Sequence, residues 1–230
     1  MGNDTAKLSP TVMTDLIEKT TFEADEIHTF YREFEKGCHP GSLAMTREEF
    51  KTMYSRWFPK GDPGAFADHV FNTFDLDDKD RVRFRDILAM LTINLKGTME
   101  QRLEWTFNLY DIGNTGYIER SELLDIIKSM HRIKANALPA ESKATPNQIC
   151  DYIMQKADSN RDGRISRQGF LTAAMQSKTI QNMLVGTLVA SSSPFLGRKH
   201  TRSPNRERSG STRSETESPP AVPKSYNLKA

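Results

Sequence analysis

The sequence predicts an all-α fold: two lobes built from four helix–loop–helix units, the first degenerate, followed by a disordered C-terminal tail. Three observations predict it. Apolar residues recur at helical spacing, as in Phe66, Val70, Phe71, Phe74 and again in Ile87, Leu88, Leu91, Leu95, and no long alternating strand pattern occurs. An aromatic or apolar pair runs into an aspartate three times, at Phe71–Asp75, Phe107–Asp111 and Met154–Asp158, with a β-branched residue seven positions later (Val82, Ile118, Ile165). Finally, composition breaks at Ser191, after which nine Ser, three Thr and five Pro replace the periodic pattern. Such a segment buries too little apolar surface to offset the entropy of ordering.

The elements follow in order. A fourth, weaker copy of the repeat lies at Cys38–Glu49, between Phe30-Tyr31-Arg32-Glu33-Phe34 and Phe50-Lys51-Thr52-Met53-Tyr54. Each copy reads as helix, twelve-residue loop, helix, and the β-branched residue at loop position eight is expected to pair two loops through a short antiparallel bridge. Pairing sets the boundaries: an N-terminal lobe over 1–96, a C-terminal lobe over 97–188 with the joint near Lys96-Gly97-Thr98, and the tail over 189–230.

Composition excludes other classes. With 37% hydrophobic and 27% charged residues the chain suits a globular body. Its apolar runs, around 87–95 and 183–190, fall short of the ~18–20 residues of a membrane span. No secretory signal is expected at the N-terminus, and two cysteines 112 residues apart, Cys38 and Cys150, suit a reducing, cytoplasmic compartment rather than a disulfide framework. The net charge of +2 hides an acidic body, with 24 bases against 27 acids over 1–190, and a tail with eight bases against three acids.

Twelve-residue loops of this anatomy are EF-hand calcium loops, in which a hard cation takes oxygens from positions one, three, five, seven (through its carbonyl), nine and a bidentate carboxylate at twelve, with glycine at six. The third loop, Asp111–Glu122, offers Asp111, Thr115, Tyr117, Glu119 and Glu122 with Gly116 at six, although Gly113 leaves position three bare; three acids against one arginine give it −2, and it ranks first. The fourth, Asp158–Gly169, offers Asp158, Asn160, Asp162 and Arg164 (the position-seven carbonyl) with Gly163 at six; Gly169 removes the closing carboxylate and three arginines against two acids leave +1, so it ranks second. The second, Asp75–Asp86, keeps Asp75, Asp77 and Asp86 but places Lys79 at five and Arg83 at nine, and is expected to be weak or silent. The first has Pro40 and no acid before Glu48, and is expected to bind nothing. On this reading Gly169→Glu should repair the fourth loop.

The chain also resembles the neuronal calcium sensors, closest to the visinin-like, hippocalcin and neurocalcin branch. The resemblance rests on Lys7-Leu8-Ser9-Pro10, Trp57-Phe58-Pro59-Lys60-Gly61-Asp62, Arg102-Leu103-Glu104-Trp105-Thr106-Phe107 and Asn160-Arg161-Asp162-Gly163, and spans roughly 1–188. It implies a groove on the N-terminal lobe, lined by Phe30 (where the family usually has Trp), Phe34, Phe50, Met53, Tyr54, Trp57, Phe84 and Leu88. That groove would take an amphipathic helix of a regulated signalling protein. It also implies N-myristoylation at Gly2, against which Ala6 stands at the position that favours Ser or Thr. The basic tail, with Ser203-Pro204 and Ser218-Pro219, would add attraction to an anionic membrane and is a plausible kinase target. Eight bases without interleaved aromatics argue against nucleic acid, and no nucleophile elbow, phosphate-cradling loop or zinc spacing points to an enzyme. The function expected is a calcium sensor; the alternative is an adaptor using the same groove without calcium.

Overall fold

The computed structural model describes residues 8–39, 42–58, 62–74, 79–134 and 144–185. Gly2, Asp75, Asp77 and the tail lie outside the described residues.

Several helices begin where the sequence supplies a side-chain cap. Helix α1 (Pro10–Lys19) starts with Pro10 after the N-cap Ser9, whose hydroxyl accepts from Val12 N. Reciprocal capping boxes open α2 (Ala24–Glu35, Glu23 with Glu26) and, after strand β1 (Ala44–Met45), α3 (Arg47–Trp57, Thr46 with Glu49). Next come α4 (Gly64–Asn72), β2 (Val82–Arg83) and α5 (Phe84–Lys96). Helix α6 (Met99–Tyr110) opens on a Thr98–Gln101 box. It leads into β3 (Tyr117–Glu119) and α7 (Arg120–Lys134). A Thr145–Gln148 box with Pro146 at the first turn opens α8 (Pro146–Ala157), followed by β4 (Arg164–Ser166), α9 (Arg167–Gln176) and α10 (Lys178–Val185).

The four helix–loop–helix units are α2–α3, α4–α5, α6–α7 and α8–α9, paired by two-stranded antiparallel sheets, β1 with β2 and β3 with β4. The residues facing each other are those at loop position eight: Met45 opposite Val82 and Ile118 opposite Ile165. All four side chains are buried, so each bridge pins two loops by backbone hydrogen bonds and by core packing at once.

Gly97 separates the two pairs between α5 and α6. A Cβ there would stand 2.4 Å from Ile93 O, so only glycine lets the chain turn this closely past the end of α5. Lys96, just before it, donates to Thr21 O and Glu26 Oε2 and lies over the Phe22 ring, tying α5 to the α1–α2 connection. One continuous apolar cluster runs through both pairs. Helix α10 seals the C-terminal pair: Ile180 and Leu184 are buried, and Tyr110 Oη donates to Leu184 O.

Candidate metal centre

The third loop brings oxygens of Asp111, Thr115 and Tyr117 close together. Helix α6 ends on Asp111, whose Oδ1 accepts from Thr115 N at 2.8 Å and whose Oδ2 accepts from Gly116 N at 2.8 Å. Asn114 and Gly116 take positive φ of 51° and 83°, which winds the loop back over the carboxylate. Thr115 Oγ1 then stands 3.3 Å from Asp111 Oδ1 and 3.0 Å from the Tyr117 carbonyl. Oxygens from positions one, five and seven therefore meet at the spacing that neighbours take around an ion held at about 2.3–2.6 Å. Glu122 closes the far side: Oε1 accepts from Gly113 N and Oε2 from Glu119 N, both at 2.8 Å. This donor set, oxygen only and net negative, fits calcium. Among the described residues no three carboxylate, imidazole or thiol groups are gathered at one point; the third loop relies instead on two carboxylates, a hydroxyl and a carbonyl.

The fourth loop repeats the beginning of this pattern and then departs from it. Asp158 accepts from Asp162 N at 3.2 Å and Gly163 N at 3.0 Å, and Arg161 and Gly163 take φ of 58° and 84°. Asp162, however, is held by Arg164, through its backbone N–H at 2.9 Å and its guanidinium at 3.3 Å, and by the Asn160 amide at 3.0 Å. The Arg164 backbone bond foremost, with the Asn160 bond and the guanidinium behind it, holds the Asp162 carboxyl below its usual range. At position twelve a Cβ on Gly169 would stand 2.3 Å from Ala157 O. The expected repair by Gly169→Glu is thus corrected: the backbone of α9 approaches the end of α8 too closely for any side chain there.

Position twelve of the second loop, Asp86, accepts from Arg83 Nε at 2.8 Å and lies 3.5 Å from Arg85 Nε. Two arginines thus satisfy the carboxylate. In the first loop Glu49 accepts from His39 N and Thr46 N, both at 2.8 Å, closing that loop as Glu122 closes the third.

The eight residues assigned to a groove are all buried. Phe34 and Phe84 pack with ring centres 5.2 Å apart, Tyr54 and Trp57 at 5.1 Å, and Phe50 meets Phe71 at 5.6 Å. In this conformation they form the core of the N-terminal pair, so the pair must open before these residues can receive a helix. Cys38 is half-buried, and that burial, with Glu49 and Glu35 nearby, pushes its thiol up to about 12, so it stays protonated and unreactive at neutral pH.

Residues 100–175 match the family model of an EF-hand domain pair. The match begins within α6 and ends within α9, so it covers the third and fourth units. An EF-hand pair implies calcium binding, which agrees with the oxygens gathered in the third loop.

Two features escaped the sequence reading. Arginine stands at position ten of the first, third and fourth loops, and each pairs with a carboxylate seven residues ahead of its partner loop: Arg47 with Asp68, Arg120 with Asp151, Arg167 with Glu104. The spacing was visible in the sequence, but only knowledge of which loops pair gives it meaning. A cavity of about 290 Å³ also opens between His69, Asn72 and Thr73 of the second unit and Asn108, Asp111 and Asn114 at the third loop. Beside it His69 Nε2 lies 3.3 Å from Asp125 Oδ2 on α7. No local sequence signal announces it.

Proposed function

We propose that this protein is a calcium sensor whose working site is the third loop and whose output is the release of an apolar surface from the N-terminal pair. The observation that carries the reading is the approach of Asp111, Thr115 and Tyr117 oxygens within that loop, with the Glu122 carboxylate closing its far side on Gly113 N and Glu119 N. The ion would be held by those oxygens, with Glu122 as the closing bidentate ligand, and EF-hand proteins of this kind typically act without catalysis. Asp111 also borders the cavity shared with α4, which gives a change in the third loop a direct path to the N-terminal pair.

The partner proposed is an amphipathic helix of a signalling protein, received by Phe34, Phe50, Tyr54, Trp57, Phe84 and their neighbours once that pair opens. Burial of these residues favours a sensor over a constitutive adaptor, because an adaptor would need them accessible at the outset. Myristoylation at Gly2 together with the basic tail would provide the two signals that stable membrane anchoring takes.

The test is calcium titration by calorimetry of the wild type and Glu122→Gln. Loss of the closing carboxylate is expected to weaken binding by on the order of tenfold or more while helicity persists. Unchanged affinity and stoichiometry would remove the third loop from the site. An added amphipathic peptide is expected to bind only with calcium; equal binding without it would favour the adaptor.

A further inference from the structure

We propose that Arg164 takes the place of a metal ion in the fourth hand, so that this hand is a calcium-free template for the third loop and the pair binds one calcium ion rather than two. The proposal rests on the reading of the third loop as the calcium site.

Four observations carry it. First, position twelve offers no oxygen and no space, since even a Cβ on Gly169 would meet Ala157 O at 2.3 Å. Second, the position-five carboxylate already holds a cation: Asp162 Oδ2 receives the Arg164 guanidinium at 3.3 Å. Asn160, at position three, donates its amide N–H to Asp162 Oδ2 at 3.0 Å. The Asp158 bonds do not discriminate, because Asp111 makes the same two. Third, the loop carries three arginines against two acids, so a divalent ion would meet net positive charge, whereas the third loop carries three acids against one arginine.

Fourth, the same arginines reach across to the third hand. The Arg164 guanidinium lies 4.6 Å from the centre of the Tyr117 ring, and Arg164 stands opposite Glu119 in the β3–β4 bridge. Arg167 lies 4.4 Å from the Phe107 ring centre and donates to Asn108 Oδ1 at 2.9 Å and to Glu104 on α6. An ion in the fourth loop would normally order that loop and, through the bridge, its neighbour. Here a covalently attached cation does both permanently, which leaves the third loop to respond to calcium alone.

The Gly116 and Gly163 backbone amides each donate to the position-one carboxylate of their own loop, at 2.8 and 3.0 Å, so each reports an ion in that loop. In a calcium titration of the full chain followed by amide NMR, Gly116 is expected to shift to completion at one equivalent while Gly163 holds its position. Arg164→Gln, at an exposed site that leaves the fold intact, is expected to weaken the single site roughly three- to tenfold through the lost ring and ion-pair contacts. Shifts of both glycines with two equivalents bound would overturn the proposal, as would undiminished affinity in Arg164→Gln. A Gly116 amide that never shifts would instead overturn the third-loop reading beneath it, so the two failures are distinguishable.

Discussion

Arg167 donates to Glu104 across the C-terminal pair, from position ten of the fourth loop to the residue seven places ahead of the third. Arg47 and Asp68 repeat the contact in the N-terminal pair at 3.4 Å, with Arg47 lying 4.5 Å from the Phe71 ring centre and donating to Asn72 Oδ1. Arg120 and Asp151 make the return contact in the C-terminal pair at 2.6 Å. The fold thus fastens each pair in two ways: at position eight by a buried backbone bridge, and at position ten by arginine gripping the partner's incoming helix, once in the N-terminal pair and twice in the C-terminal pair.

These arginines are partly exposed, so each ion pair by itself contributes little; for Arg47 and Arg167 a ring contact and a second hydrogen bond raise the sum. Arg167→Ala is expected to cost about 1 kcal/mol, read as a lower midpoint in urea with an unchanged slope. An unchanged midpoint would show the grip to be energetically idle.

Gly169→Ala adds only the Cβ that would strike Ala157 O. It is expected to destabilise the C-terminal pair by about 1–3 kcal/mol, seen as a lower Tm. Equal or higher stability would mean that α9 can move away from α8, and the position-twelve repair would then be worth making.

Trp57 and Phe50 are 1% and 0% exposed. Truncating either to Ala is expected to cost about 3–5 kcal/mol, so the double variant should lose cooperative unfolding rather than merely lose a partner. Retention of a sharp transition would return these residues to an accessible surface. A fair test of partner binding therefore uses milder changes such as Trp57→Phe.

Burial depresses the His69 pKa, and Asp125 and Asp68 only partly oppose it. A folded pKa below the unfolded value near 6.5 means that the unfolded chain binds the proton more readily. The contribution of His69 to stability is therefore fully present above about pH 6.5 and is lost as pH falls through the folded pKa. Urea midpoints between pH 7.5 and 5 should fall less steeply in His69→Gln than in the wild type; parallel curves would show that the imidazole does not titrate with unfolding.

Much of this was legible in the residues because it is local. The apolar spacing of Phe66, Val70, Phe71 and Phe74 acts within a few helical turns, and the loop anatomy around Asp111 and Asp158 acts within twelve residues. The burial of the groove residues was not legible, because spacing shows which side chains share a helix face but not whether another helix covers that face. The Gly169 repair was misjudged because a loop alignment supplies ligand positions without the distance between α8 and α9.

The sequence by itself determined the helices, the loop pattern and the bridge residues Val82, Ile118 and Ile165, since each follows from residue types at short, fixed spacing. Tertiary structure decided the rest: that Arg164 and Arg167 serve the neighbouring hand, that Gly169 is a point of backbone contact, and that Trp57 and Phe50 lie in the core. Each of these depends on distances between segments far apart in the chain, which are set only when the apolar faces of both pairs pack into one continuous core.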